Sequence, residues 1–195
     1  MLQIYPPFYK RFRCMASACP DSCCVGWEVV VDDDAAAFYR RNRDAFAPFD
    51  PVWEEEFYTE EGQARRLAEE QSWAEAGRSF RFLLVQPRHP GKIVGMLGLN
   101  EIVRGAFQSC FISYKIDHTL WGRGYGSEAI AYGAEWAFRA LGLHRVEANI
   151  MPRNTASRRA AAKAGFVEEG LSRQYLKING VWEDHIHMVR LNETE

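Results

Sequence analysis

YKIDHTLWGRGYGSEAI, residues 114–130, decides how the rest of the chain is read. It opens as the end of an apolar strand, closes that strand at Ile116, and passes through a short loop in which Gly122, Gly124 and Gly126 lead directly into a helix. Glycines let the backbone turn tightly and bring successive N–H groups toward a ligand, and the start of a helix adds a partial positive charge. Such a junction suits a pyrophosphate. Taken alone, G-x-G-x-G before a helix is as often a plain turn. A dinucleotide-binding fold would place it in an early βαβ unit of a parallel sheet, whereas here it comes late and follows a different pattern.

That pattern is a run of strands. SFRFLLVQ, KIVGMLGLNEIVRG and FQSCFISYKID are separated by the turn-formers PRHPG and RGAF, which predicts an antiparallel meander. Downstream of the glycines, Ala129, Ile130, Gly133, Ala134, Ala137, Phe138 and Leu141 recur at helical spacing, so residues 124–141 form a long amphipathic helix. HRVEANIMP follows as a strand, TASRRAAAKAG as a short helix ended by Gly165, and residues 167–191 as a hairpin around Asn179 and Gly180. Toward the N-terminus, GWEVVV (residues 26–31) predicts a strand, and Asp32, Asp33 and Asp34 can cap a helix carrying AAAFYRRNRDAF. A connector with Pro48 and Pro51 then precedes a second helix, opened by Thr59 and ended by Gly77. The sum is an α/β (α+β) fold: a mixed, mostly antiparallel sheet flanked by helices on both faces.

The chain has 195 residues, 47% of them hydrophobic, enough for one generous domain with an appendage. The expected division is a Cys-rich segment over residues 1–32, which can supply the first strand, and a main domain over residues 33–195. No run approaches the roughly 20 apolar residues of a membrane helix, and the first residues lack the apolar block of a secretory signal. A cytoplasmic protein without membrane contact is therefore expected. A net charge of −2 offers no basic field, so direct nucleic-acid binding is not expected.

Cys14, Cys19, Cys23 and Cys24 crowd into CMASACPDSCC. In a reducing compartment such a cluster reads first as a metal site, for Zn²⁺ or part of an Fe–S centre. The adjacent Cys23 and Cys24 cannot easily both turn toward one ion, so reduced structural thiols and a disulfide stay open as alternatives. Cys110, in an apolar strand, reads as a small buried hydrophobe. His185 and His187 alternate on a strand beside Asp184, a metal pair wanting a third ligand. Tyr132, Tyr175 and Trp182 read as core or cleft wall.

With these motifs in order, the sequence resembles the GNAT acyltransferases. WGRGYGSEA stands where that family carries its acetyl-CoA pyrophosphate loop, and ANIMPRNTASRRAAAKAGFVEEG looks like the segment that follows it. YLKINGVWEDHIHM is similar to the Rim-type enzymes, which acetylate N-termini of ribosomal proteins. The resemblance covers about residues 35–190. It implies that backbone groups of Tyr114, Lys115 and Ile116 pair with the pantetheine arm. Amides of Trp121, Gly122, Arg123, Gly124, Tyr125 and Gly126 would hold the pyrophosphate, Asn154 would reach the CoA, and Ser157 would sit beside the thioester sulfur. Asn-Thr-Ala-Ser is equally good helix-capping chemistry.

Two departures stand out. Trp121 replaces the Gln or Arg that often starts the loop, a change that backbone-amide binding tolerates. Gln174 stands where Rim-type relatives have an acidic residue, proposed in some as the base that deprotonates the amine. Glu101 and Glu147, with Glu169 and Asp184 behind them, are the carboxylates left for that task, and an N-terminal α-amine of pKa near 8 makes only a modest demand on a base. A second resemblance covers about residues 4–32: YPPFYKRFRCMASACPDSCCVGWEVVVD looks like the N-terminus of the flagellin-lysine methylases. That family completes its cysteine site further downstream, where this chain has only Cys110.

The resulting expectation is an acetyl-CoA-dependent N-acetyltransferase. Its acceptor would be a protein N-terminal α-amine, of a ribosomal protein for instance, attacked directly without an acyl-enzyme. A small-molecule amine acceptor and a non-catalytic CoA-binding or metal-sensing module are the alternatives. The oligomeric state is open, with a homodimer among the options.

Overall fold

The computed structural model describes residues 3–5, 31–86 and 89–193. Its elements are β1 (Gln3–Tyr5), α1 (Val31–Phe46), α2 (Glu60–Glu75), β2 (Phe80–Gln86), β3 (His89–Val103), β4 (Ser109–Ile116), α3 (Tyr125–Leu141), β5 (Arg145–Ile150), α4 (Thr155–Lys163), β6 (Val167–Ile178) and β7 (Val181–Leu191). The strands form one seven-stranded sheet in the order β1-β2-β3-β4-β5-β7-β6. Every neighbouring pair is antiparallel except β4 and β5.

Side-chain alternation makes this sheet serve two cores. In β2, Phe82 and Leu84 join α3 and α4 on one face, while Leu83 meets α1 on the other. In β3 a bulge reverses the parity: Leu84 pairs with Gly95 and Val85 with Ile93, skipping Val94. Val94 consequently packs with α3, whereas Ile93 and Met96 pack with Ala35, Phe38 and Tyr39 of α1. β4, β5 and β7 continue the α3 core through Ile112, Val146, Ala148, Ile186 and Met188.

The helices follow local chemistry. In α3 the expected apolar stripe is buried from Ala129 to Phe138, and Gly142 closes the helix at φ 61°. Thr59 accepts from the Gly62 N–H at the start of α2. That helix turns a polar face inward: Gln63 and Glu70 are buried, and Glu70 lies 2.8 Å from both Arg66 and Arg81. Asn179 and Gly180, both at positive φ, make the tight turn between β6 and β7.

At the N-terminal end the reading shifts. Of the strand expected over residues 26–31, all but Val31 lie outside the described residues, and Val31 begins α1. Asp32, Asp33 and Asp34 therefore sit inside the first helical turn and not before it. β1 pairs with β2. Cys14, Cys19, Cys23 and Cys24, with nearly all of the flagellin-methylase-like segment, lie outside the described residues. Tyr132 and Trp182 are surface residues, 44% and 57% exposed, and neither is core. Among the described residues no helix is long and apolar enough to cross a membrane.

Candidate active site

β4 and β5 are parallel neighbours for only three pairs, Ser109 to Phe111 with Arg145 to Glu147. Past that point each strand keeps only its antiparallel partner, β3 for β4 and β7 for β5. The sheet thus splits, and a cleft of about 900 Å³ opens between the strand ends, the glycine loop and α4.

Register tells which backbone groups face the split. The Asp117 N–H donates to the Val94 carbonyl at 2.8 Å, which fixes the alternation of the β3–β4 ladder. Ile112, Tyr114 and Ile116 then direct their backbone polar groups away from β3 and into the opening. Lys115 directs its own toward β3, and its side chain runs to the α1 face, where it pairs with Asp50. Burial lowers the Lys115 pKa, and Asp50 opposes that shift. Nothing in the sequence signals this pair, whose members stand 65 residues apart.

The glycine loop is built for close approach. Gly122 and Gly124 hold φ of 75° and 88°, conformations that cost an L side chain about 1–2 kcal/mol, and Gly124 is the N-cap of α3. Gly126 serves a different purpose, since a Cβ there would lie 2.9 Å from the Tyr114 ring. Trp121 fixes the loop to the strand it leaves: its indole donates to the Ile116 carbonyl at 2.8 Å. Asp117 fixes it from below, accepting from the Thr119 N–H at 3.1 Å, the Thr119 hydroxyl at 2.7 Å and Arg41 at 2.6 Å. Burial pushes this carboxyl up, yet the bonds from Thr119 and Arg41 prevail and hold it at about 2. The local signal for Asp117 is Asp-His-Thr before a turn, which is capping chemistry, while its bond to Arg41 lies 76 residues away in the chain.

Across the cleft, the Asn154 side chain accepts from the Ser157 N–H at 3.1 Å and caps α4. The Ser157 hydroxyl accepts from the Tyr114 phenol at 3.2 Å. Burial raises the Tyr114 pKa, and the Ser157 contact offsets part of that rise. Tyr114, Ile116, residues 121–126, Asn154 and Ser157 all line this one cleft.

The carboxylates are arranged differently. Glu147 is 7% exposed and occupied: it meets Arg145 at 2.7 Å and His187 Nδ1 at 2.6 Å. Glu169 pairs with Arg145, and Asp184 accepts from the Gln174 N–H. Glu101 is exposed at φ 49° where β3 and β4 lose register. None of these four lines the cleft, and Gln174 does not line it either. His185 does. Tyr175 packs against both His185 and His187, with ring centroids 5.8 and 5.0 Å away. Cys110 is buried, and that burial pushes its thiol up to about 12, so it is no nucleophile. Among the described residues no group of three or more His, Cys, Asp or Glu could hold a metal ion.

Residues 28–167 match the acetyltransferase (GNAT) domain. The chain is 39% identical over 165 residues to a probable N-acetyltransferase of Bacillus subtilis (strain 168), YjcK, covering 85% of this chain and 91% of the relative. It is 34% identical over 161 residues to the [ribosomal protein uS5]-alanine N-acetyltransferase of Escherichia coli (strain K12), with coverage of 81% and 82%. Among solved structures, RimJ of Mycobacterium smegmatis in complex with CoA-disulfide superposes with a TM-score of 0.77 at 31% identity, over 85% of this chain and 81% of that one.

Proposed function

The chain belongs to the acetyltransferase (GNAT) family, and we propose that it transfers acetyl from acetyl-CoA to the α-amine at a protein N-terminus. The observation that carries this reading is the split between β4 and β5, bordered by a left-handed glycine loop and lined by Tyr114 and Ser157. The cleft fits the donor. The backbone groups of Tyr114 and the N–H of Ile116, whose carbonyl is held by Trp121, offer a ladder to an extended amide-bearing arm, and the loop amides with the α3 N-terminus suit a pyrophosphate. Similarity to an alanine N-acetyltransferase acting on uS5 favours a protein N-terminus over a small amine.

In the transfer the amine nitrogen attacks the thioester carbonyl and the C–S bond breaks. One proton leaves the nitrogen and one is needed by the departing thiolate. Tyr114 donating to Ser157 makes a two-hydroxyl chain able to deliver the second proton. Incubating the protein with acetyl-CoA and a peptide beginning with alanine, then locating the label by mass spectrometry, tests the reading. Acetyl on the α-nitrogen is expected. Labelling confined to lysine side chains or to small amines such as polyamines would overturn it.

A further inference from the structure

We propose that His185 is a catalytic residue, taking the proton from the attacking amine through its Nε2; the role rests on the amine-acetylating reading given above. Three observations carry it. His185 lines the same cleft as Ser157 and Tyr114, which none of the candidate carboxylates does. Its Nδ1 lies 3.0 Å from the Glu183 carbonyl oxygen, an atom that can only accept, so Nδ1 carries the hydrogen and the neutral ring keeps its lone pair on Nε2. Among the described residues Nε2 makes no hydrogen bond, and the little surface that His185 keeps, 3%, is at the wall of the cleft it lines.

The ring is also held. Tyr175 of β6 packs on it from one side, and Ser172 of β6 stands opposite it in register. The charged and titratable groups around it are Glu183 and His187 on its own strand, Arg153 from the β5–α4 connection, and Tyr175. Burial lowers the imidazole pKa and His187 and Arg153 add to this, while the Glu183 carbonyl and carboxylate oppose it. The ring is accordingly neutral at pH 7 and able to accept.

The site separates the two proton transfers by the plane of the sheet. In β7, Ile186 and Met188 belong to the α3 core, so His185 projects from the opposite face; Tyr114 and Ser157 are on the α3 side. The amine nitrogen forms the C–N bond and loses its proton to Nε2 on one face. The C–S bond electrons go to sulfur, which takes a proton from the Ser157 hydroxyl on the other. His185 then returns its proton to solvent and Ser157 regains one through Tyr114.

The test uses His185→Gln and His187→Gln in the full chain, with an alanine-initiated peptide as acceptor. Wild type should show log kcat/KM against pH with a slope that rises from about one to about two as the pH falls through the imidazole titration, one unit from the amine and one from the imidazole. In His185→Gln the slope should fall to one and kcat should drop about 100-fold, with acetyl-CoA affinity within about twofold by calorimetry. His187→Gln should keep the slope of two. A His185→Gln enzyme with the wild-type slope and undiminished kcat overturns the proposal. An acceptor-independent arm stands beside it: imidazole NMR at pH 7 should show the His185 hydrogen on Nδ1, and a hydrogen on Nε2 overturns the role even if no peptide is acetylated.

Discussion

Asp117→Asn is the most informative single change outside the reacting groups. The Asp117 carboxylate is 2% exposed and ties α1, the end of β4 and the turn before the glycine loop through Arg41 and Thr119. Its pKa falls from 3.8 to about 2 on folding. That gap of about 1.8, at about 1.36 kcal/mol for each pH unit, makes the ionised form contribute about 2 kcal/mol of stability. Because the folded value lies below the unfolded one, the contribution is whole above about pH 5 and drains as the pH falls through 3.8 toward 2. Asparagine mimics the protonated acid and can still accept from the Thr119 N–H. Urea unfolding should therefore find the variant about 2 kcal/mol less stable at pH 7 and only about 1 kcal/mol less stable at pH 3. A gap unchanged between those pH values, or a variant as stable as wild type at pH 7, would refute the assignment of Asp117 as the charged anchor of the loop.

The hydroxyl chain, the loop and the lone described thiol give further tests. Ser157→Ala should lower kcat about tenfold while acetyl-CoA affinity stays within about twofold, because the Asn154 cap bonds the backbone of residue 157 and survives; equal losses in both would place Ser157 in binding alone. Gly126→Ala should be felt at Tyr114, since the new Cβ would sit 2.9 Å from its ring, and about 1–3 kcal/mol of overpacking is expected in thermal or urea unfolding. Gly124→Ala meets open space but must hold φ near 88°, so calorimetry should record weaker acetyl-CoA binding with unfolding less stable by about 1–2 kcal/mol. Cys110, with its thiol near 12, should resist alkylation at pH 8 until the protein is unfolded, as peptide mapping would show.

Much of this was legible because period and punctuation are local properties. The stripe of α3, the glycine loop, the Asn154–Ser157 capping geometry and the Asn179–Gly180 turn each depend on residues within a few positions of one another. Lys115 with Asp50, Arg41 with Asp117 and Arg153 with Glu183 depend on which strands meet, and no short window holds that information. The buried polar face of α2 escaped for a related reason: Glu70 is buried because Arg81, on another element, is there to meet it. Residue type says least about the base. Carboxylates are the natural candidates where Gln174 replaces an acid, but whether a side chain reaches the cleft depends on tertiary placement: Glu147 meets Arg145 and His187 and does not line the cleft, whereas His185 does.

Alternation along β4 and β7 has a chemical consequence that neither strand discloses alone. The proton taken from nitrogen and the proton given to sulfur are handled by groups on opposite faces of the sheet. Tyr114 projects to the α3 side, toward Ser157, and His185 projects to the opposite face, and both line the cleft that opens where β4 and β5 part. A substrate bridging that gap is what connects them, so the pair is coupled through the reacting nitrogen and sulfur. On this reasoning the short β4–β5 pairing is as much a requirement of the chemistry as the side chains are. Extending the ladder past Phe111 and Glu147 would close the opening that the donor arm needs, and it would seal base from acid.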